Sequence, residues 1–233
     1  MRQEAAIRER MEDRQTRKIE FDGFAIFSCP GVSIPRVDTY ILYRAARAYE
    51  ASAVWEPFAG SGAISIGLAR RGARVWATDI SGKAVACIRQ NAHLNHCHDR
   101  IHSRRLDVAV APKRKFDLIV ANPPYTEHRV SCVEERMAWD PERKAIKAFM
   151  KVSRQSLHAS GVILFSWPDY ESFAMIESLM RKAGLEFAVQ AELSEHDDAV
   201  RDYYLGSGIN ASRARRRKHH TRSVIYRIYQ ANL

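Results

Sequence analysis

This sequence predicts a doubly wound α/β fold: a mostly parallel seven-stranded sheet, helices on both faces, an antiparallel last strand and a small hairpin in front. Three observations carry that expectation. Short runs that are almost wholly apolar, such as Leu118-Ile119-Val120-Ala121, read as strands buried on both faces. Amphipathic stretches with a helical period separate most of these runs. A glycine-rich turn, Glu56-Pro57-Phe58-Ala59-Gly60-Ser61-Gly62, joins the first such strand to the helix that follows it.

In chain order, Met1 to Lys18 is charged and polar and is expected to be a solvated helix or a frayed terminus. Asp22-Gly23 between Ile19–Phe21 and Phe24–Phe27 predicts a tight two-residue hairpin. Asp38 is placed to cap a helix over Thr39 to Glu50. Strands are expected at Ala53–Trp55, Arg74–Thr78, Ile101–Leu106, Phe116–Ala121 and Val162–Trp167. The helices between them are expected at Ala63–Arg71, Lys83–Leu94, Glu142–His158 and Tyr170–Ala183. Two late runs, Leu185–Leu193 and Ser223–Tyr229, have no helix between them and should form an antiparallel pair at the sheet edge. By this division residues 1–35 hold the charged segment and hairpin, and 36–233 form the main domain with a basic insertion at 194–222.

With 233 residues, 46% of them hydrophobic, the chain can bury a core, which excludes a disordered tail protein. A net charge of +10 favours acidic or phosphate-bearing macromolecules as partners. Cys29, Cys87, Cys97 and Cys132 contain no Cys-x-x-Cys pair, and no apolar stretch suits a signal peptide or a membrane span. A reducing cytoplasm and no membrane are therefore expected. His93, His96 and Cys97 share helical spacing, but histidines at a helix C-terminus are the simpler reading, so no metal is expected.

Ligands in open α/β sheets sit beyond the carboxyl ends of the strands. Glu56, Asp79 and Asp107 fall at three successive strand ends and should line one crevice with Phe58, Gly60, Gly62 and Ile80. Glycines there allow a tight turn and close approach of a nucleoside. Asp79 can accept both ribose hydroxyls, and Asp107 can reach an adenine amine. A pyrophosphate would be repelled by an acid inside the turn. Glu56 instead suits the ammonium and sulfonium of S-adenosyl-L-methionine, which is the expected cofactor.

The fourth strand ends in Asn122-Pro123-Pro124-Tyr125. The Asn122 side-chain oxygen and the Pro123 carbonyl can both accept from a target NH₂ and aim its lone pair at the methyl group. The prolines fix the loop, and Tyr125 can stack on a planar substrate. From about Phe21 to Pro168 the sequence resembles the class I, Rossmann-like methyltransferases with an Asn-Pro-Pro-Tyr motif, and most of all the release-factor glutamine methyltransferases. The features that carry this are the hairpin, Pro30-Gly31-Val32-Ser33-Ile34-Pro35-Arg36-Val37-Asp38-Thr39, the glycine turn, Asp79, the Asn122 loop and Trp139-Asp140-Pro141. The resemblance implies an S-adenosylmethionine-dependent N-methyltransferase acting on a glutamine amide, with Arg36, Thr39 and Pro124 as candidate substrate-pocket residues. That family carries a helical domain before the hairpin, where this sequence has the short charged segment. Its pattern also lacks the basic run, Arg213 to Arg222. Three alternatives stay open: the exocyclic amine of adenine or guanine in RNA or DNA, a small-molecule acceptor, and a non-enzymatic nucleic-acid-binding module. The oligomeric state is not legible.

Overall fold

The computed structural model describes residues 17–110, 112–132, 134–194, 197–198 and 224–233. Residues 1–16 of the expected charged segment and the basic run 213–222 lie outside the described residues, while Lys18 opens the first strand. A hairpin of β1 (Lys18–Phe21) and β2 (Phe24–Phe27) comes first. Its turn places Asp22 at φ 48° and Gly23 at φ 79°, the paired left-handed residues that match strand twist. The main sheet has β3 (Ala53–Glu56), β4 (Arg74–Asp79), β5 (Ile101–Arg105), β6 (Phe116–Ala121), β7 (Leu157–Pro168), β8 (Glu186–Ser194) and β9 (Ile225–Asn232). Their order is β5-β4-β3-β6-β7-β9-β8. Pairs from β5 through β7 are parallel, and β9 runs antiparallel to both β7 and β8.

Period-two alternation sorts the central strands onto two cores. Val54, Leu118, Val120, Leu164 and Ile228 face one layer, with the hairpin, α1 (Val37–Ala46) and α2 (Ala63–Arg70). Trp55, Ile119, Phe165 and Tyr229 face the other, with α4 (Lys144–Ser156) and α5 (Phe173–Lys182). Between β4 and β5 lies α3 (Gly82–Leu94), capped by Ser81, whose hydroxyl accepts from Ala84 N. Phe21 joins the hairpin to α1 through ring contacts with Tyr40 and Tyr43.

Several boundaries differ from expectation. Helix α1 starts at Val37 and ends at Ala46, so Asp38 lies inside its first turn and is not its cap. Two side chains accept at its start, Thr39 Oγ1 from the N–H of Arg36 at 3.2 Å and Asp38 Oδ1 from the N–H of Thr39 at 2.8 Å, and at its other end Tyr49 is drawn away to Gln230 of β9. Helix α4 starts at Lys144 because Asp140 caps it, accepting from the N–H groups of Ala145 (2.7 Å) and Ile146 (2.9 Å). It ends at Ser156 because Leu157 already pairs with Phe116. Helix α5 starts at Phe173, since the Ser172 hydroxyl takes Met175 N at 3.1 Å. At the sheet edge β9 is inserted beside β7, leaving β8 outermost.

The cysteine reading also changes. Cys29 and Cys87, 58 residues apart, form a disulfide with Cα atoms 5.9 Å apart. Cys97 is buried with its thiol toward the Ala92 carbonyl, and the His93 ring stacks on His98 at 4.3 Å. Among the described residues no helix is long and apolar enough to cross a membrane.

Candidate active site

At the carboxyl end of β3 the chain turns through Phe58 (φ 61°), Gly60 (φ 54°) and Gly62 (φ 82°). Gly62 is the residue before α2, and a Cβ there would meet Ile88 at 3.1 Å, so a side chain is disfavoured by both conformation and space. Backbone donors hold the turn to strand-end acids. Gly60 N–H donates to Asp79 Oδ2 at 2.9 Å, and Ser81 N–H to Asp79 Oδ1 at 2.9 Å. Ser65, in the first turn of α2, donates its N–H to Glu56 Oε2 at 2.8 Å and its hydroxyl to the same oxygen. From α3, the Asn91 amide donates to the carbonyls of Ser61 (3.0 Å) and Phe27 (2.9 Å), tying the hairpin to the turn.

Burial pushes the Glu56 carboxyl up to about 8, against the two Ser65 hydrogen bonds and with a further push from Asp79. Burial also raises Asp79, and the N–H groups of Ser81, Gly60 and Ile80 oppose it. A cavity of ≈ 240 Å³ opens over the ends of β4 and β5. Asp79 and Asp107 are among its carboxylates, and Phe58, Ile80, Val108 and Trp139 supply apolar wall. Asp107 is exposed; one oxygen takes Ala109 N at 2.9 Å and the other lies 3.9 Å from Arg136.

Asn122 follows β6 half-buried, and its amide is clasped on both sides. Nδ2 donates to Thr39 Oγ1 at 3.0 Å. Oδ1 accepts from the hydroxyls of Ser166 (2.7 Å) and Tyr125. The Tyr125 hydroxyl also lies 2.5 Å from Ser166 Oγ and 3.3 Å from Asp38 Oδ2. Its pKa is pushed well above the usual phenol value by burial and then by the Asp38 charge. Arg143 holds the Tyr125 carbonyl and pairs with Glu171 at 2.6 Å. Arg36 keeps solvent exposure at the start of α1. Crowding of its guanidinium by protein works against the charge, but Asp38, Tyr226, Tyr170 and Tyr125 around it hold its pKa above the usual value.

Of the expected set, Phe58, Asp79, Ile80 and Asp107 line the cavity together, whereas Glu56 lies under the turn, 2% exposed and bound to Ser65. Gly60 and Gly62 shape the turn. Asn122, Thr39 and Arg36 gather at the β6 end, and Pro123 and Pro124 are buried. Tyr125 differs from its expected role. Only 8% exposed, it packs edge-on to Trp167 at 5.6 Å and uses its hydroxyl inside the protein, so it does not offer a free stacking face. Ser166 and Asp38 are the residues that sequence reasoning left out of the site. A signal existed for Ser166, the lone hydroxyl in the apolar run Val162–Trp167.

Residues 39–183 match the methyltransferase small domain family, and the chain belongs to that family. With its sheet order and strand-end crevice it is a class I methyltransferase domain, whose cofactor is S-adenosyl-L-methionine. Its curated relatives include the release factor glutamine methyltransferase of Chlorobaculum tepidum, 30% identical over 202 residues, 78% of this chain and 64% of that protein. The enzyme of the same name from Neisseria gonorrhoeae is 39% identical over 114 residues, 47% of this chain and 42% of its own. The chain thus spans less than two thirds of the length of these relatives. In fold it is similar to the ribosomal protein L11 methylase of Lactobacillus delbrueckii subsp. bulgaricus, with a TM-score of 0.57, 18% identity, and 88% and 84% of the two chains covered. A 16S rRNA N2 G1207 methyltransferase of T. thermophilus gives a TM-score of 0.59 at 18% identity, covering 94% of this chain and 50% of its own.

Proposed function

We propose that this chain methylates the side-chain amide nitrogen of a glutamine in a peptide-chain release factor. The observation that carries the reading is the clasped amide of Asn122, at the end of β6 next to the strand that bears the glycine turn. A carboxamide nitrogen is a poor nucleophile because its lone pair is shared with the carbonyl, and an acceptor for its N–H groups draws that pair back. Asn122 Oδ1 is such an acceptor, with Thr39 fixing which face of the amide it presents. The Pro123 carbonyl is assigned as the second.

Both lone pairs of Oδ1 are already engaged by Ser166 and Tyr125, so an arriving NH₂ must turn one hydroxyl away. Tyr125 has Asp38 Oδ2 3.3 Å away as its second acceptor. In this assignment Asp79 receives the ribose hydroxyls and Asp107 the adenine amine. Phe58 and Ile80 cover the ring, Gly60 and Gly62 admit the methionine portion, and Glu56 holds the turn from beneath through Ser65. The donor set suits that group: exposed and buried carboxylates with apolar walls, and an acid beneath the turn. When bound, S-adenosyl-L-methionine supplies a methyl group on a sulfonium. Arg36 and Pro124 are assigned to the acceptor side.

The test is transfer of labelled methyl from S-adenosyl-L-methionine to a purified release factor, to unmodified RNA and to free glutamine. Label on a release-factor glutamine is expected. Label confined to an adenine or guanine amine in RNA, the reading the net charge of +10 favours second, would replace this proposal.

A further inference from the structure

The outer face of α4 carries a row of cations with no counter-charge in the helix. From Lys144 to Ser156 it holds Lys144, Lys147, Lys151 and Arg154 and no acidic residue, while Ile146, Phe149, Met150 and Val152 are buried. Glu142, just before the helix, pairs with Lys144 at 2.9 Å, and its carbonyl takes the Lys147 ammonium at 2.9 Å. Like charges four residues apart on a helix destabilise it, as Lys147 and Lys151 do here. Across from the row stands Lys182 at the end of α5. The two helices enclose a groove of ≈ 330 Å³, with Met150 and Leu179 among its lining and Lys147, Lys151, Arg154 and Lys182 as its charged groups. Among the described residues no carboxylate lines it, and all four cations are exposed. Lys115 extends the row, its ammonium on the Gln155 carbonyl at 2.6 Å.

We propose that the α4–α5 groove is a docking surface for the phosphodiester backbone of a nucleic acid, whichever acceptor the active site takes. Lys147 to Arg154 spans about 10 Å at about 1.5 Å per residue. That is about three steps of one DNA strand at about 3.4 Å of axial rise each, the reach of four successive phosphates. Three of the four cations are lysines, which bind phosphate oxygens as point charges, and Arg154 can meet a phosphate with its fork. A membrane is the poorer fit, because the exposed large apolar residues Leu94, Val110, Tyr170, Val189 and Leu233 all lie outside the groove lining. Among the described residues no aromatic side chain lines the groove, so contact runs through the backbone and not through stacked bases. Lys144 lines the cofactor cavity, so the cationic row begins at the rim of the active site.

The experiment uses the full chain and a labelled RNA duplex of about 20 base pairs, followed by anisotropy from about 50 to 200 mM salt. Lys147→Gln, Lys151→Gln and Arg154→Gln together should weaken binding about tenfold or more and flatten the log–log salt slope by about two to three. A control triple, Arg71→Gln, Arg74→Gln and Arg104→Gln, removes the same charge from exposed sites elsewhere and should change affinity less than about threefold. Melting curves of both triples establish that they are folded. Equal losses in the two triples would mean that net charge alone binds RNA and would overturn the proposal. Unchanged affinity in the groove triple would do the same, as would tighter capture of polyglutamate than of RNA at equal salt.

Discussion

The glycine turn after β3 and the Asn122 loop after β6 stand at the carboxyl ends of neighbouring strands, yet different bonds hold them. In the turn the donors are mostly main-chain N–H groups: Gly60 to Asp79, Ser81 to Asp79 and Ser65 to Glu56. In the loop, side chains hold a side chain: Thr39, Tyr125 and Ser166 on Asn122. A main-chain site needs the right φ values and room at the glycines, and its acids act on the fold as well as on a ligand. A side-chain site can be altered one atom group at a time with little cost to the fold, so its variants separate turnover from stability.

The largest effect that would sharpen this contrast belongs to Asn122→Ala. Turnover at saturating methyl donor should fall about a hundredfold to a thousandfold, the usual cost of losing a pre-placed group at the reacting centre. Calorimetry should show S-adenosyl-L-methionine bound nearly as well as by wild type. Full turnover in this variant would remove the loop from the chemistry.

Asp79→Ala attacks the other side of the comparison. Loss of a charged acceptor costs about 1.5–3 kcal/mol, so methyl-donor affinity should drop about tenfold to a hundredfold, and most ligand-induced thermal stabilisation should vanish. If the variant binds the donor like wild type, the cavity assignment fails.

Glu56 links the turn to pH. Its folded value near 8 lies above the ordinary 4.5, so between those limits the unfolded chain has released a proton that the folded chain keeps. Its contribution to stability is therefore fully present below about 4.5 and is lost as pH rises toward about 8. Glu56→Gln should gain several degrees in Tm on wild type between pH 5 and pH 8.5, read as the difference between paired melting curves. A constant difference across that range would mean that Glu56 titrates normally.

Ser166→Ala should give the smallest change. One neutral hydrogen bond is worth about 0.5–1.5 kcal/mol, so kcat should fall about twofold to tenfold with donor affinity unchanged. A loss as large as that of Asn122→Ala would show that Ser166 does more than orient the amide.

The sequence by itself determined the alternation of buried strands and amphipathic helices, the hairpin at Asp22-Gly23, the glycine turn and the strand-end acids. Each of these depends on local rules: period-two and period-3.6 burial, φ preference at glycine, and the placing of loops at strand ends. Asn122 was legible for the same reason, as the first residue past an apolar strand. Only the tertiary structure decided what lies around it. Thr39 is 83 residues away and Ser166 is 44, and no local pattern reports a contact at that range. The Cys29–Cys87 pair, the insertion of β9 between β7 and β8, and the burial of Tyr125 share that origin. They depend on which surfaces meet when the layers close, and packing, not propensity, selects them.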